Sequence, residues 1–136
     1  MAEWQSLRGH VATNYHVVVD ELERFQNPDW DGLSVRVATP RGQRLVALHR
    51  RKDYNGDWFV QVFAPIATTS PPNLVSLLEW NGRSAAGSLL MADGELLYKR
   101  VYPLDWLQLQ RIETALNDVA GTSAALETML AEHGSI

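Results

Sequence analysis

The chain has 136 residues, a formal net charge of −4 and no cysteine. That length fits a single domain, residues 1–136, able to bury roughly two-thirds of its unfolded surface without staples. The missing cysteines exclude disulfides, thiol nucleophiles and thiolate-bound metals, and the acidic balance disfavours bulk affinity for nucleic acid. The opening MAEWQSLRGH lacks the basic-then-apolar pattern of a signal peptide. No apolar run approaches the ~20 residues that span a bilayer, so the expected setting is the cytoplasm, away from membranes.

Trp4, Leu7, Val11, Tyr15, Val18, Leu22 and Phe25 recur at steps of three or four. This spacing predicts an amphipathic helix of about six turns, stopped by Asn27-Pro28. The β-branched run Val17-Val18-Val19 works against it. After a loop, Leu33, Val35 and Val37 alternate with Ser34, Arg36 and Ala38 as a half-buried strand. Thr39-Pro40-Arg41-Gly42 has the residues of a type I turn. Arg44 to Lys52 and Trp58 to Ala64 read as two further strands, joined by the polar turn Asp53 to Asp57. Connections this short impose an antiparallel meander.

Ser70-Pro71 resembles a helix start, Leu74, Leu77 and Leu78 give a short helix one apolar face, and Asn81-Gly82 reads as its left-handed end. Two strands follow around Asp93-Gly94, the dipeptide best suited to a hairpin turn with positive φ at both positions. Asp105 and Gln108 are spaced as a capping box for a last helix starting at Trp106. Its stripe is Leu109, Ile112, Leu116, Val119, Leu126 and Leu130, with Gly121 as a weak point and Gly134 as its close. The expected fold class is α+β: an antiparallel five-stranded sheet in the order α-βββ-α-ββ-α, its apolar face covered by the first and last helices.

No constellation in this order points to catalysis. His10, His16, His49 and His133 are dispersed, so a metal site is not expected. Asp53, Asn55 and Asp57 copy the start of a calcium loop, but Trp58 and Ala64 stand where glycine and a bidentate glutamate belong. Ser88 follows Gly87 without a nucleophile elbow, and phosphate-cradling glycine patterns are missing. No cofactor is expected. The feature that stands out is charge: no acidic residue lies between Gly32 and Lys52, yet Arg36, Arg41, Arg44, Arg50, Arg51 and Lys52 do, half of the 12 lysines and arginines. Such a stripe suits either a solvated sheet face or a docking surface for an acidic protein segment or a phosphate backbone. Trp80, Tyr98, Tyr102 and Trp106 cluster near the hairpin, and aromatics are enriched at interfaces.

The run PNLVSLLEWNGRSAAGSLLMADGELLYKRVYPLD, Pro72 to Asp105, resembles the central signature of the YbjN family, which shares the fold of type III secretion chaperones. The resemblance implies a small, acidic, cytoplasmic homodimer that binds other proteins, with no active site. It implies partner contacts along the sheet at Arg36, Arg44 and His49, to which the basic stripe adds Arg50. It implies dimer contacts near the short helix and hairpin, at Leu78, Trp80 and Tyr98. The expectation is a non-enzymatic adaptor or chaperone-like protein; the alternative is a regulatory module whose basic strands bind an acidic partner or nucleic acid.

Overall fold

The computed structural model describes residues 4–20, 31–69, 71–134 and 136. Trp4–Asn14 is helix α1, with Trp4, Leu7 and Val11 buried at successive turns. It stops where the Tyr15 N–H donates to the Val11 carbonyl at 3.0 Å. His16–Asp20 then forms strand β1, so the expected six-turn helix is wrong beyond Asn14. Three consecutive β-branched residues lose rotamer freedom in a helix. Here they gain extended pairing instead, Val17 opposite Val35 and Val19 opposite Ser34, with a register irregularity between them. The remaining expected turns, through Phe25, and the Asn27-Pro28 stop lie outside the described residues.

Strands β2 (Gly32–Thr39), β3 (Gly42–Lys52) and β4 (Trp58–Ile66) form the expected antiparallel meander. Gly42 leaves the first turn at φ +103°, a conformation that strains any side chain. In the second turn one Asp53 carboxylate oxygen accepts the N–H groups of Asn55 and Asp57, each at 2.9 Å. That carboxylate organises the turn.

Helix α2 (Leu74–Arg83) starts later than Ser70-Pro71 suggested. Asn73 is its N-cap, and its side-chain oxygen accepts the Ser76 N–H at 2.9 Å; Ser70 itself lies outside the described residues. The helix also runs through Asn81-Gly82 rather than ending there in a left-handed cap; its C-cap is Ser84, in extended conformation. Asn81 has another task. Strands β5 (Ser88–Ala92) and β6 (Glu95–Pro103) form the hairpin, with Asp93 at φ +52° and Gly94 at φ +79° as the turn chemistry required. The Asn81 amide donates to the Leu89 carbonyl at 2.9 Å and accepts the Leu89 N–H at 2.7 Å. It thereby imitates a neighbouring strand on the outer edge of β5.

Helix α3 (Leu109–His133) begins three residues past Trp106, with Gln108 as an N-cap that makes no side-chain bond. The Asp105–Gln108 capping box does not form, because the backbone ahead of it turns: the N–H groups of Trp106 and Leu107 both donate to the Pro103 carbonyl, at 3.1 and 3.2 Å. α3 continues through Gly121 and closes at Gly134, φ +69°.

Among the described residues the sheet therefore has six antiparallel strands, not five, in the order β1-β2-β3-β4-β6-β5. The α+β class stands; β1 is the added strand. Alternation gives the sheet two faces. Val35, Val46, Leu48, Val62, Ala64 and Tyr98 belong to the first, beneath α3, which packs across β2, β3, β4 and β6. Its buried Ile112, Leu116, Val119 and Ala120 fill that layer. α1 and α2 join the same side. Asp31, 2% exposed, fastens α1: it accepts the Trp4 indole N–H at 2.5 Å and the Arg8 Nε–H at 2.9 Å, while Arg8 also reaches Asp20.

Two glycines should respond oppositely to alanine. A Cβ on Gly87 would run into the buried Tyr98 ring, whereas one on Gly121 meets nothing within 4 Å. Gly87→Ala should cost about 1–3 kcal/mol, and Gly121→Ala should add about 0.5–1 kcal/mol by removing backbone freedom from the unfolded chain. Urea unfolding measures both; effects of equal sign would contradict this packing.

Candidate functional site

The second face of the sheet carries no helix among the described residues, since α1, α2 and α3 all lie on the first. Its cross-strand rows can be read from the register. One row runs from Arg36 to Leu45, and a parallel stretch from Pro65 through Leu97 to Leu90. The next runs Ser34, Ala47, Phe63, Lys99, Ser88; the third Gly32, His49, Gln61, Val101; the fourth Arg51, Phe59, Pro103. Leu45 and Val101 are 43% and 45% exposed, Phe59, Phe63, Leu90 and Leu97 are half-buried, and only Gly32, Ala47 and His49 of these rows are buried. The result is an apolar surface with cations set into it.

Strand parity divides the residues expected to bind a partner. Arg36 and His49 lie on this second face. Arg44 and Arg50 lie on the first, because they share parity with Val46 and Leu48. Arg44 is spent there: its guanidinium pairs with Glu127 of α3 at 2.6 Å and donates to the Pro65 carbonyl at 2.8 Å. Arg50 lies with its guanidinium 4.3 Å from the Trp58 ring centroid, and Lys52 approaches the same ring at 5.3 Å. The basic stripe is thus two half-sets. Arg36 and Arg51 belong to the second face, where Lys99, from a distant part of the chain, joins them. Arg36 and Lys99 make no ion pair among the described residues.

His49 is 8% exposed and stands edge-on to Phe63, with ring centroids 5.0 Å apart. Gly32 lies opposite it, and any larger residue there would collide with the imidazole. Burial, and then the Arg51 charge, lower its pKa to about 4, with Asp31 opposing. His49 is therefore neutral near pH 7 and belongs to the floor of the face rather than its charge. The other histidines are scattered: His10 meets Glu113 at 3.0 Å, His16 is exposed on β1 and His133 ends α3. Among the described residues no three His, Asp or Glu side chains gather at a spacing that holds a metal.

The residues expected at a dimer contact also separate. Tyr98 is 3% exposed and packed in the core against Trp80, with ring centroids 6.1 Å apart, so it offers no surface and that assignment is corrected. Trp80 is half-buried beside it. Leu78 does project outward, 62% exposed, together with Leu74 and Val75 on one flank of α2. At the far end of β6, Trp106 stacks on Tyr102 (5.6 Å, 8° between planes) and carries the Arg111 guanidinium 4.4 Å from its ring centroid. These aromatics are engaged with their own chain.

Sequence spacing could not reveal the acid partners. Glu127, Asp118 and Asp31 all serve the helix side: Arg44 with Glu127, Arg100 with Asp118 at 2.9 Å, Arg8 with Asp31. On the strands, the second face carries Glu95 as its one described carboxylate, at the hairpin end. No helix among the described residues is long and apolar enough to cross a membrane. No protein-family model, curated protein or solved structure matches the chain.

The lowered His49 pKa has a sign. The unfolded chain takes up that proton near pH 6.5 and the folded chain only near pH 4, so stability is full above the first value and falls as pH drops towards the second. The full loss is about 3 kcal/mol. Thermal unfolding between these pH values should show the decline, and His49→Phe should flatten it; an unchanged slope would mean the imidazole is not buried neutral.

Proposed function

We propose that this protein is a non-catalytic protein-binding module, adaptor or chaperone-like, that docks a segment of a partner protein on the second face of its sheet. The observation that carries this reading is the apolar surface of Leu45, Phe59, Phe63, Leu97 and Val101 on a sheet whose described helices all lie on the opposite side. Monomeric proteins seldom leave apolar area contiguous, and where they do it marks an interaction site. The groups such a surface offers among the described residues are packing and charge, which suit the binding of another chain. The resemblance of Pro72 to Asp105 to the YbjN signature points the same way, and a cytoplasmic setting goes with it.

Leu45→Asp and Val101→Asp each place a charge at an exposed position, so both variants should keep the wild-type melting temperature within about 1 kcal/mol of stability. Affinity capture from the native lysate should retain a defined protein with wild type and lose it with either variant. The same capture by wild type and variants would refute the reading.

Self-association is the second part of the proposal, and its support is Leu74, Val75 and Leu78 on one flank of α2. Three side chains fall well short of the ~800 Å² per partner of a standard interface. The expected homodimer is therefore weak, its light-scattering mass rising with concentration, and Leu78→Glu should hold it at one chain mass. A mass that stays at one chain for wild type at every concentration removes the dimer.

A further inference from the structure

We infer that the uncovered end of β6 is a strand-addition site: a short extended segment of a partner protein pairs with the main chain of Val101 and turns an Asp or Glu side chain into the cleft beside Arg111. The site adjoins the docking face at Val101 but is a different surface, recognised through backbone.

It begins with a mismatch of lengths. β6 spans Glu95–Pro103, whereas β5 spans only Ser88–Ala92. Their pairing ends at Ser88 opposite Lys99. Beyond that point β6 continues beside β4, with Gln61 opposite Val101 and Phe59 opposite Pro103. Along this stretch β4 lies on one side, and among the described residues no strand lies on the other.

Hydrogen-bond parity decides which groups the gap exposes. In an antiparallel ladder the N–H and C=O of one residue point to the same neighbour, and successive residues alternate. The Leu104 N–H donates to the Trp58 carbonyl at 3.0 Å, so Tyr102 and Arg100, at even steps from it, bond to β4. Asn81 gives the same answer independently. Its amide takes both backbone groups of Leu89 from outside, which leaves Ser88 and Leu90 to bond to Lys99 and Leu97. Lys99 and Leu97 therefore spend their groups on β5. Val101 is next in that series, and it turns one donor and one acceptor to the gap. No turn, loop or cap bond among the described residues uses them. Pro103 has no N–H, and its carbonyl already accepts from Trp106 and Leu107. The open stretch thus offers one complete pair of groups, enough for two hydrogen bonds to an added strand.

The cleft supplies the selectivity. A hollow of about 380 Å³ opens beside Val101, lined by Ala86 and by Arg100, Tyr102, Trp106, Arg111 and Asp118. Arg100 and Tyr102 share parity with Tyr98, so the hollow lies on the helix side of the sheet. In an added strand the residue opposite Val101 points with it to the second face, and its two neighbours point into the hollow. Charge selects those neighbours. Arg100 is paired with Asp118 at 2.9 Å. Arg111 makes no ion pair among the described residues. It donates to the Trp106 carbonyl at 3.2 Å while lying 4.4 Å from that ring's centroid, which occupies one of a guanidinium's five N–H donors. Two guanidiniums thus face one carboxylate. An Asp or Glu side chain beside Arg111 completes a charge-assisted pair, and a Lys or Arg there meets like charge.

The test uses the whole chain and a displayed library of random dodecapeptides. Without peptide, amide exchange followed by NMR should show the Val101 N–H exchanging about tenfold or more faster than those of Arg100 and Tyr102; slow exchange at Val101 would overturn the parity on which the site depends. Enriched peptides should carry Asp or Glu and should protect the Val101 amide when titrated. Val101→Pro removes an N–H that the sheet does not use, so it should keep the fold and weaken these peptides about tenfold or more. Arg111→Gln should weaken them about tenfold, and Leu45→Asp, on the docking face, should leave them unchanged. If no enriched peptide protects the Val101 amide, the inference fails. Peptides that lose affinity on Leu45→Asp yet ignore Val101→Pro and Arg111→Gln overturn it and leave docking on the second face in place. Peptides that protect Val101 but show no acidic excess and ignore Arg111→Gln overturn the acidic assignment.

Discussion

The structure depends on one contact layer: α3 lying across four strands. Ile112, Leu116, Val119 and Ala120 meet Val35, Leu48 and Val62 there, all essentially dry. Burial of this kind contributes about 25 cal/mol for each Å² removed from water, which makes the layer the main source of cohesion in a chain of this size. Everything else is arranged at its margin. Arg44 with Glu127 and Arg100 with Asp118 tie the helix to the strands at two points along its length. Asp31 brings α1 to the same side through Trp4 and Arg8. Because one long helix and its two companions share one face, the sheet keeps a second face that nothing among the described residues in this layer covers.

That asymmetry also governs charge. Carboxylates on α3 and around Asp31 neutralise arginines that point into the helix layer, since a cation near a core is costly without a partner. Among the described residues, Arg36 and Lys99, of opposite parity, pair with no such acid. Strand alternation thus divides one basic stretch of the sequence between the two faces of the sheet.

Much of this was legible in the residues. Period-two alternation located β2 to β6, and Asp93-Gly94 fixed the hairpin because both positions take positive φ. α1 was overextended because Tyr15, Val18 and Leu22 continue its helical spacing. The pairing of Val17 and Val19 with β2, a long-range term invisible to local spacing, decided otherwise. The Asp105–Gln108 pattern met the capping rule but lost to the turn held by the Pro103 carbonyl. At the site, grouping six cations by nearness overlooked parity: Arg44 and Arg50 alternate with the exposed positions and belong with Val46 and Leu48. Lys99 joins the face through β4–β6 pairing, and Glu127 reaches Arg44 from 83 residues away. Those juxtapositions require the fold itself.

The strand order carries a consequence for how the chain reaches this state. β5 follows β4 in sequence, yet β6 is the strand that pairs with β4, closing at Ile66 opposite Leu96. The β5–β6 hairpin and the Asn81 clamp are local and can form within microseconds. Their docking must wait for closure of a loop of about thirty residues, whose entropy is lost before any contact repays it. The long chain closure in this sheet thus falls on a single seam, the one between β4 and β6.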